Sequence, residues 1–104
     1  MIKEILSSTP SVIYRCNNRN NEDELMTSIL ISNTVGVNSR VWLLIKNNKD
    51  TAVNAGAILY GTLLDPNELM DLPNKRLKYG DFVEAYSDNE NAISFYADVE
   101  NIKE

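Results

Sequence analysis

The chain has 104 residues, one cysteine, no histidine, and fifteen acids against ten bases, for a net charge of −5. That is the size of one domain, 1–104, able to bury roughly 65% of its unfolded surface without covalent staples; a lone Cys16 excludes an intrachain disulfide and a Cys/His zinc cluster. Without imidazole there is neither the commonest general base at neutral pH nor a Ser/His or Cys/His nucleophile pair, so the chain reads as non-enzymatic.

The first strand pattern is 11–16 (SVIYRC), with Pro10 just before it and Val12, Tyr14 and Cys16 expected on one side. Residues 17–24 read as a solvated loop. In 25–34 (LMTSILISNT), Thr27, Ile29 and Ile31 alternate against Ser28, Leu30 and Ser32. The turn 34–39 then predicts a hairpin into 40–46 (RVWLLIK), which is apolar on both faces and suits the middle of a sandwich. Residues 47–50 (NNKD) end it.

The run 57–64 (AILYGTLL) is expected as a strand, because Gly61 weakens a helix by roughly 1 kcal/mol while Tyr60 and Thr62 suit a pleated surface. Residues 65–67 form a turn, 68–72 a short strand or helical turn stopped by Pro73, and the short base cluster Lys75, Arg76 and Lys78 a solvated turn. Strands at 82–87 and 92–100 follow, joined by the turn 88–91. In the last, Ile93, Phe95, Ala97 and Val99 face one way, and Ser94, Tyr96, Asp98 and Glu100 the other. Asparagine is frequent between these runs and tolerates the left-handed backbone of turns. Seven short strands with little helix predict an all-β antiparallel sandwich, immunoglobulin-like or jelly-roll, with 1–9 and 101–104 as tails or edge pieces.

Three possible chemistries fail on spacing. Asp81, Glu84 and Asp88 lie close in sequence, but Asp81 and Glu84 are an odd number of residues apart, so a strand directs them to opposite faces and prevents a glycosidase-like pair. The oxygen-rich loops 20–24 and 88–91 lack the glycine-containing spacing of a calcium loop. Gly36, Gly56, Gly61 and Gly80 form no phosphate-cradling run. No catalytic residue, metal or cofactor is therefore assigned, and Cys16 reads as a small buried apolar group.

The scattered bases on an acidic chain exclude nucleic acid as the expected partner. The opening MIKEIL is too short and charged for a signal peptide, and no apolar run approaches the ~20 residues of a membrane span, so a soluble, cytoplasmically made chain with no membrane partner is expected. What remains is a surface question. If Trp42, Leu44, Phe82, Tyr86 or Tyr96 face outward together, a sheet carries an apolar stripe that signals a partner.

The order of features also resembles a group of small structural proteins of tailed-bacteriophage virions. The residues carrying the likeness are VIYRC at 12–16, ILISNT at 29–34, VWLLI at 41–45, LKYGDFVEA at 77–85, and a final strand closing on Val99 and Glu100. The resemblance implies a non-catalytic virion component. A capsid decoration or cement protein, binding the lattice as a small symmetric oligomer with a trimer favoured, is the first expectation; a neck, tail or fibre accessory protein is the second. Its partners would be phage capsid or other virion proteins, met through exposed faces and strand edges. A carbohydrate- or receptor-binding module is the alternative of a different class, and it needs an exposed aromatic platform.

Overall fold

The structure, a computed structural model, describes residues 1–49 and 55–102. Its strands are β1 (Ile2–Ile5), β2 (Ser11–Arg15), β3 (Glu24–Asn33), β4 (Ser39–Lys46), β5 (Ala57–Leu64), β6 (Leu69–Leu72), β7 (Lys75–Leu77), β8 (Phe82–Ser87) and β9 (Ile93–Asn101). They form two antiparallel sheets packed as a sandwich. The first has the order β1-β9-β3, with β6 and β7 both on the far side of β3; the second has the order β2-β8-β4-β5.

The expected all-β sandwich is thus observed, with nine strands in place of seven. The two additions come from segments with little apolar periodicity. In β1, Ile2 alone is buried, with Leu6 just beyond it, and the strand is held at the edge by pairing with β9. In β7, where a solvated turn was expected, Lys75 and Arg76 join a strand because Leu77 is buried and the N-terminal half of β3 offers it partners from Glu24 to Met26. The reversal itself occupies 78–81.

β6 and β7 are two halves of one edge. Leu69–Leu72 pairs with Ser32 back to Ile29, and Lys75–Leu77 continues along Met26 back to Glu24. Pro73 lies between them, where its missing amide hydrogen would have broken the ladder in any case. Counting β6 and β7 together gives eight strands, in which the first and second lie in different sheets, as do the last two. That is the double Greek key of a jelly roll, whereas the immunoglobulin order keeps its first two strands in one sheet.

The hairpin expected at 34–39 does not form, because β3 and β4 belong to different sheets. The turn instead carries the chain over the end of the core. Asn33 makes this possible: its buried amide donates to the carbonyls of Val37 (2.8 Å), Leu64 (3.1 Å) and Asp65 (3.2 Å), while its Oδ1 accepts the Val35 N–H at 3.2 Å. One side chain thereby ties two crossing turns together. Asn21, Asn67 and Asn91 supply left-handed turn positions at φ 55°, 63° and 61°, in the role expected of asparagine.

Two bulges reset the inward faces. An extra residue in β3, with Ser28 at φ 52°, lets Met26 and Ile29 both face the core and sends Thr27 outward, contrary to the simple alternation. An extra residue at Ile13 likewise turns Tyr14 and Cys16 inward but leaves Val12 on the outer surface. The core between the sheets is Ile2, Met26, Ile29, Ile31, Leu77, Ile93, Phe95 and Ala97 from the first and Val41, Leu43, Leu59, Leu64, Val83 and Ala85 from the second. Residues 50–54, including Asp50 at the end of the expected NNKD turn, lie outside the described residues.

Gly56 and Gly36 give a paired test. Gly56 has φ 69°, and a Cβ there would overlap the Ile45 carbonyl oxygen; its own carbonyl accepts the Ile45 N–H at 2.9 Å. Gly36 has open space and no left-handed backbone. Gly56→Ala should cost about 2 kcal/mol or more, and Gly36→Ala should be neutral or stabilising by about 0.4–1 kcal/mol, in urea denaturation.

Candidate functional site

The outer face of the second sheet is assembled by register. Across β5, β4 and β8 the first row is Tyr60, Trp42 and Tyr86, since Trp42 is the direct partner of both tyrosines. The next row is Ala57, Leu44, Glu84 and Val12, and the third is Lys46, Phe82 and Arg15. Leu63 and Arg40 pair at the rim. The inward partners on the same strands, Val41, Leu43, Val83 and Ala85, are all buried, which fixes the outward direction of the others.

A stack organises this face. Trp42 and Tyr86 lie with ring centroids 4.8 Å apart and planes 2° from parallel, worth about 0.5–1.5 kcal/mol beyond the area they bury. The rings therefore lie with their faces against each other. Gly61 makes room for them: it is the extra residue of a bulge in β5 at φ 68°, and an added Cβ would press on the indole at 3.3–3.6 Å. Arg40 Nη1 donates to the Gly61 carbonyl at 2.9 Å, and the Arg15 guanidinium lies 5.3 Å above the Phe82 ring centre. Lys46 and Glu84 form an ion pair at 3.3 Å on the same surface. Burial, followed by the nearby Tyr60 and Glu84, raises the Tyr86 pKa, so this hydroxyl stays neutral well above neutral pH.

Four of the five residues singled out from the sequence thus meet on one face: Trp42, Leu44, Phe82 and Tyr86. Leu44 is in the outward register yet only 1% exposed, outside the main core. Tyr96 is elsewhere, on the outer face of the first sheet beside Leu30, with its hydroxyl donating to Asp98 at 3.1 Å. Sequence reasoning missed Tyr60, Leu63 and Val12, which are 56%, 44% and 40% exposed on the second sheet, and the two arginines. Strand order was needed to bring them to Trp42. The dipeptide Tyr60-Gly61 was the available signal, because a glycine inside a strand marks a bulge or a close approach.

The carboxylates weighed earlier serve the fold. Asp81 Oδ2 accepts the Lys78 N–H at 2.9 Å in the turn, Glu84 faces outward, and Asp88 Oδ1 accepts the Arg40 N–H at 2.7 Å. In the loop 88–91, Glu90 accepts both the amide and the hydroxyl of Ser8 (3.0 and 2.6 Å), contacts that lower its pKa. In the loop 17–23, Asn18 Oδ1 accepts the N–H groups of Asn20 and Glu22, and Asp23 accepts from Arg76 at 2.8 Å and from the Tyr79 amide at 2.9 Å. A cleft of about 300 Å³ between the ends of β4 and β8 is lined by Asn47, Asn48, Lys49, Lys78, Tyr79 and Asp81. The described residues that line it include no buried ionisable pair.

Among the described residues, one ionisable cluster is buried. Glu24 accepts the Tyr14 hydroxyl at 2.6 Å and the Asn18 amide at 3.2 Å. Beside it the Cys16 thiol is fully enclosed, 3.6 Å from the Glu22 carbonyl and 3.7 Å from that of Leu77. Burial, then the charge of Glu24, pushes the thiol up to about 12, and burial with the Glu24 hydrogen bond raises the Tyr14 phenol too. A thiol so hard to ionise is the reverse of a nucleophile. The cluster staples β2 to β3 and the loop between them.

No protein-family model matches the chain, and no match was found among curated proteins or among solved structures.

The buried thiol makes an alkaline prediction. Its pKa is raised, so its contribution to stability is complete below the ordinary value of 9.0 and is lost as pH climbs towards about 12. Chemical denaturation across this range should show stability falling above about pH 9, with a shallower fall in Cys16→Ala. Thiol reagents at about pH 8 should label Cys16 only after unfolding; rapid labelling of the native protein would contradict its enclosure.

Proposed function

We propose that this is a non-catalytic structural protein of a tailed-phage virion, acting as a capsid decoration protein that binds the lattice as a small symmetric oligomer. The observation carrying the reading is the outer face of the second sheet, where stacked aromatics, Leu63 and Val12 form a broad apolar surface that a small monomer has no internal use for. The jelly-roll strand order is in keeping with it, since viral capsid domains use this architecture, although lectin domains do too. The likeness of the strand motifs to virion proteins supplies the biological setting. Repetition on a lattice would convert individually modest face contacts into firm attachment.

The carbohydrate-binding reading has less to stand on. A sugar ring stacks on an open aromatic face, and here Trp42 and Tyr86 cover each other while Arg15 covers Phe82. Tyr60 alone in the central row projects as a substantially exposed ring.

Mass spectrometry of purified particles should find the chain in stoichiometric amount, and the isolated protein should sediment as a small closed oligomer. A protein that remains monomeric and never copurifies with particles sinks this reading. A glycan-array signal abolished by Trp42→Ala would favour the carbohydrate alternative.

A further inference from the structure

We infer that the outer face of the second sheet docks onto an acidic, partly apolar protein surface, with Arg15 and Arg40 as the groups that read its carboxylates. The inference deepens the assembly reading and rests on it only in taking this face as a contact surface.

The charge distribution carries the argument. Glu84 is the only acid on the four strands of this sheet, against Arg15, Arg40 and Lys46, whereas the strands of the other carry Glu4, Glu24, Asp71, Asp98 and Glu100 against Lys3, Lys75 and Arg76. Lys46 and Glu84 neutralise each other at 3.3 Å. What remains on the strands is Arg15 and Arg40, so a chain of net charge −5 presents a locally cationic face. Asp88, at the rim, accepts the Arg40 amide and keeps its charge beside that arginine, so the excess on the strands is two positive charges against this one.

Both arginines are exposed yet positioned, one by the Phe82 ring and the other by the Gly61 carbonyl. Each retains N–H groups in the fork geometry that grips a carboxylate through two bonds, and less freedom is lost on binding than for a lysine. The composition is also that of an interface centre: tyrosine, tryptophan, phenylalanine and arginine, with little lysine or acid.

Charge decides among occupants. A second copy packed face to face through the same surface would bring its cations against these. Single-stranded nucleic acid stacks successive bases on open ring faces, and with the Trp42–Tyr86 stack and the Arg15–Phe82 pair formed, this face offers Tyr60 as its one substantially exposed ring. An acidic protein surface satisfies both guanidinium groups and covers Tyr60, Leu63 and Val12.

Trp42 is the only tryptophan in the chain and sits on this face, so its emission reports occupancy directly. The full chain is titrated with a random glutamate–tyrosine copolymer at low and high salt. A saturable change in emission is expected, with affinity falling by about tenfold or more at high salt or in the Arg15→Glu/Arg40→Glu variant. Asp98→Asn, on the other sheet, should bind as the parent does. If circular dichroism shows the double variant unfolded, Arg15→Gln and Arg40→Gln are used singly, and each should weaken binding several-fold.

No emission change, or binding indifferent to the arginine variants, overturns the proposal. So does tighter binding of a deoxythymidine oligomer, which would assign the face to nucleic acid. Concentration-dependent self-association abolished by the same arginine variants would assign it to a second copy. Each of these outcomes is independent of whether the chain is found in particles, so the docking inference and the virion reading fail separately.

Discussion

Six of the eight connections in this fold change sheet, so most turns must carry the chain across an end of the hydrophobic layer. A crossing turn brings backbone polar groups up against that layer, where unsatisfied ones are costly. The four buried polar residues among those described, Glu24, Asn33, Ser39 and Ser87, all stand at strand ends where this happens. Asn33 holds the turns after β3 and β5, and Glu24 anchors Tyr14 and the loop after β2. At the ends of β4 and β8, Asn89 bridges the two serines: its Nδ2 donates to Ser39 Oγ at 3.0 Å and its N–H to Ser87 Oγ at 3.2 Å. The topology depends on these few groups because apolar contacts do not specify where a chain should turn.

The residues revealed more of the fold's texture than of its wiring. Strands with uninterrupted alternation, such as 82–87 and 93–100, could be read directly, because a period of two has one physical cause. Strands carrying a bulge could not: the extra residues at Ile13 and Ser28 leave the composition unchanged but exchange the faces on either side. The turn at 34–38 illustrates a different gap. Its chemistry marks a reversal, and a reversal looks the same whether the chain returns to its own sheet or enters the facing one.

The same distinction governs the outer face of the second sheet. Trp42, Leu44, Phe82 and Tyr86 were identifiable as aromatic or apolar residues in strands, but their meeting depends on β4 pairing with β8, a relation over some forty positions that local sequence does not encode. Tyr60 reaches the stack only through the bulge at Gly61. Tyr96 was misgrouped for the converse reason: it has the same pattern of neighbours, but its strand belongs to the other sheet. The face is thus a product of topology, and the arginines on its flanks acquire their joint meaning only once it exists.

The sheet edges bear on how copies of this molecule coexist. β1 is four residues long, β2 carries a bulge, β5 carries two, and β6 and β7 are parted at Pro73. None of the four borders offers the long, flat row of free amides and carbonyls on which a neighbouring strand could template itself. A protein required at high local density risks edge-to-edge zippering into fibres, and this one has every border interrupted. Edge pairing between copies is thereby disfavoured by the backbone itself.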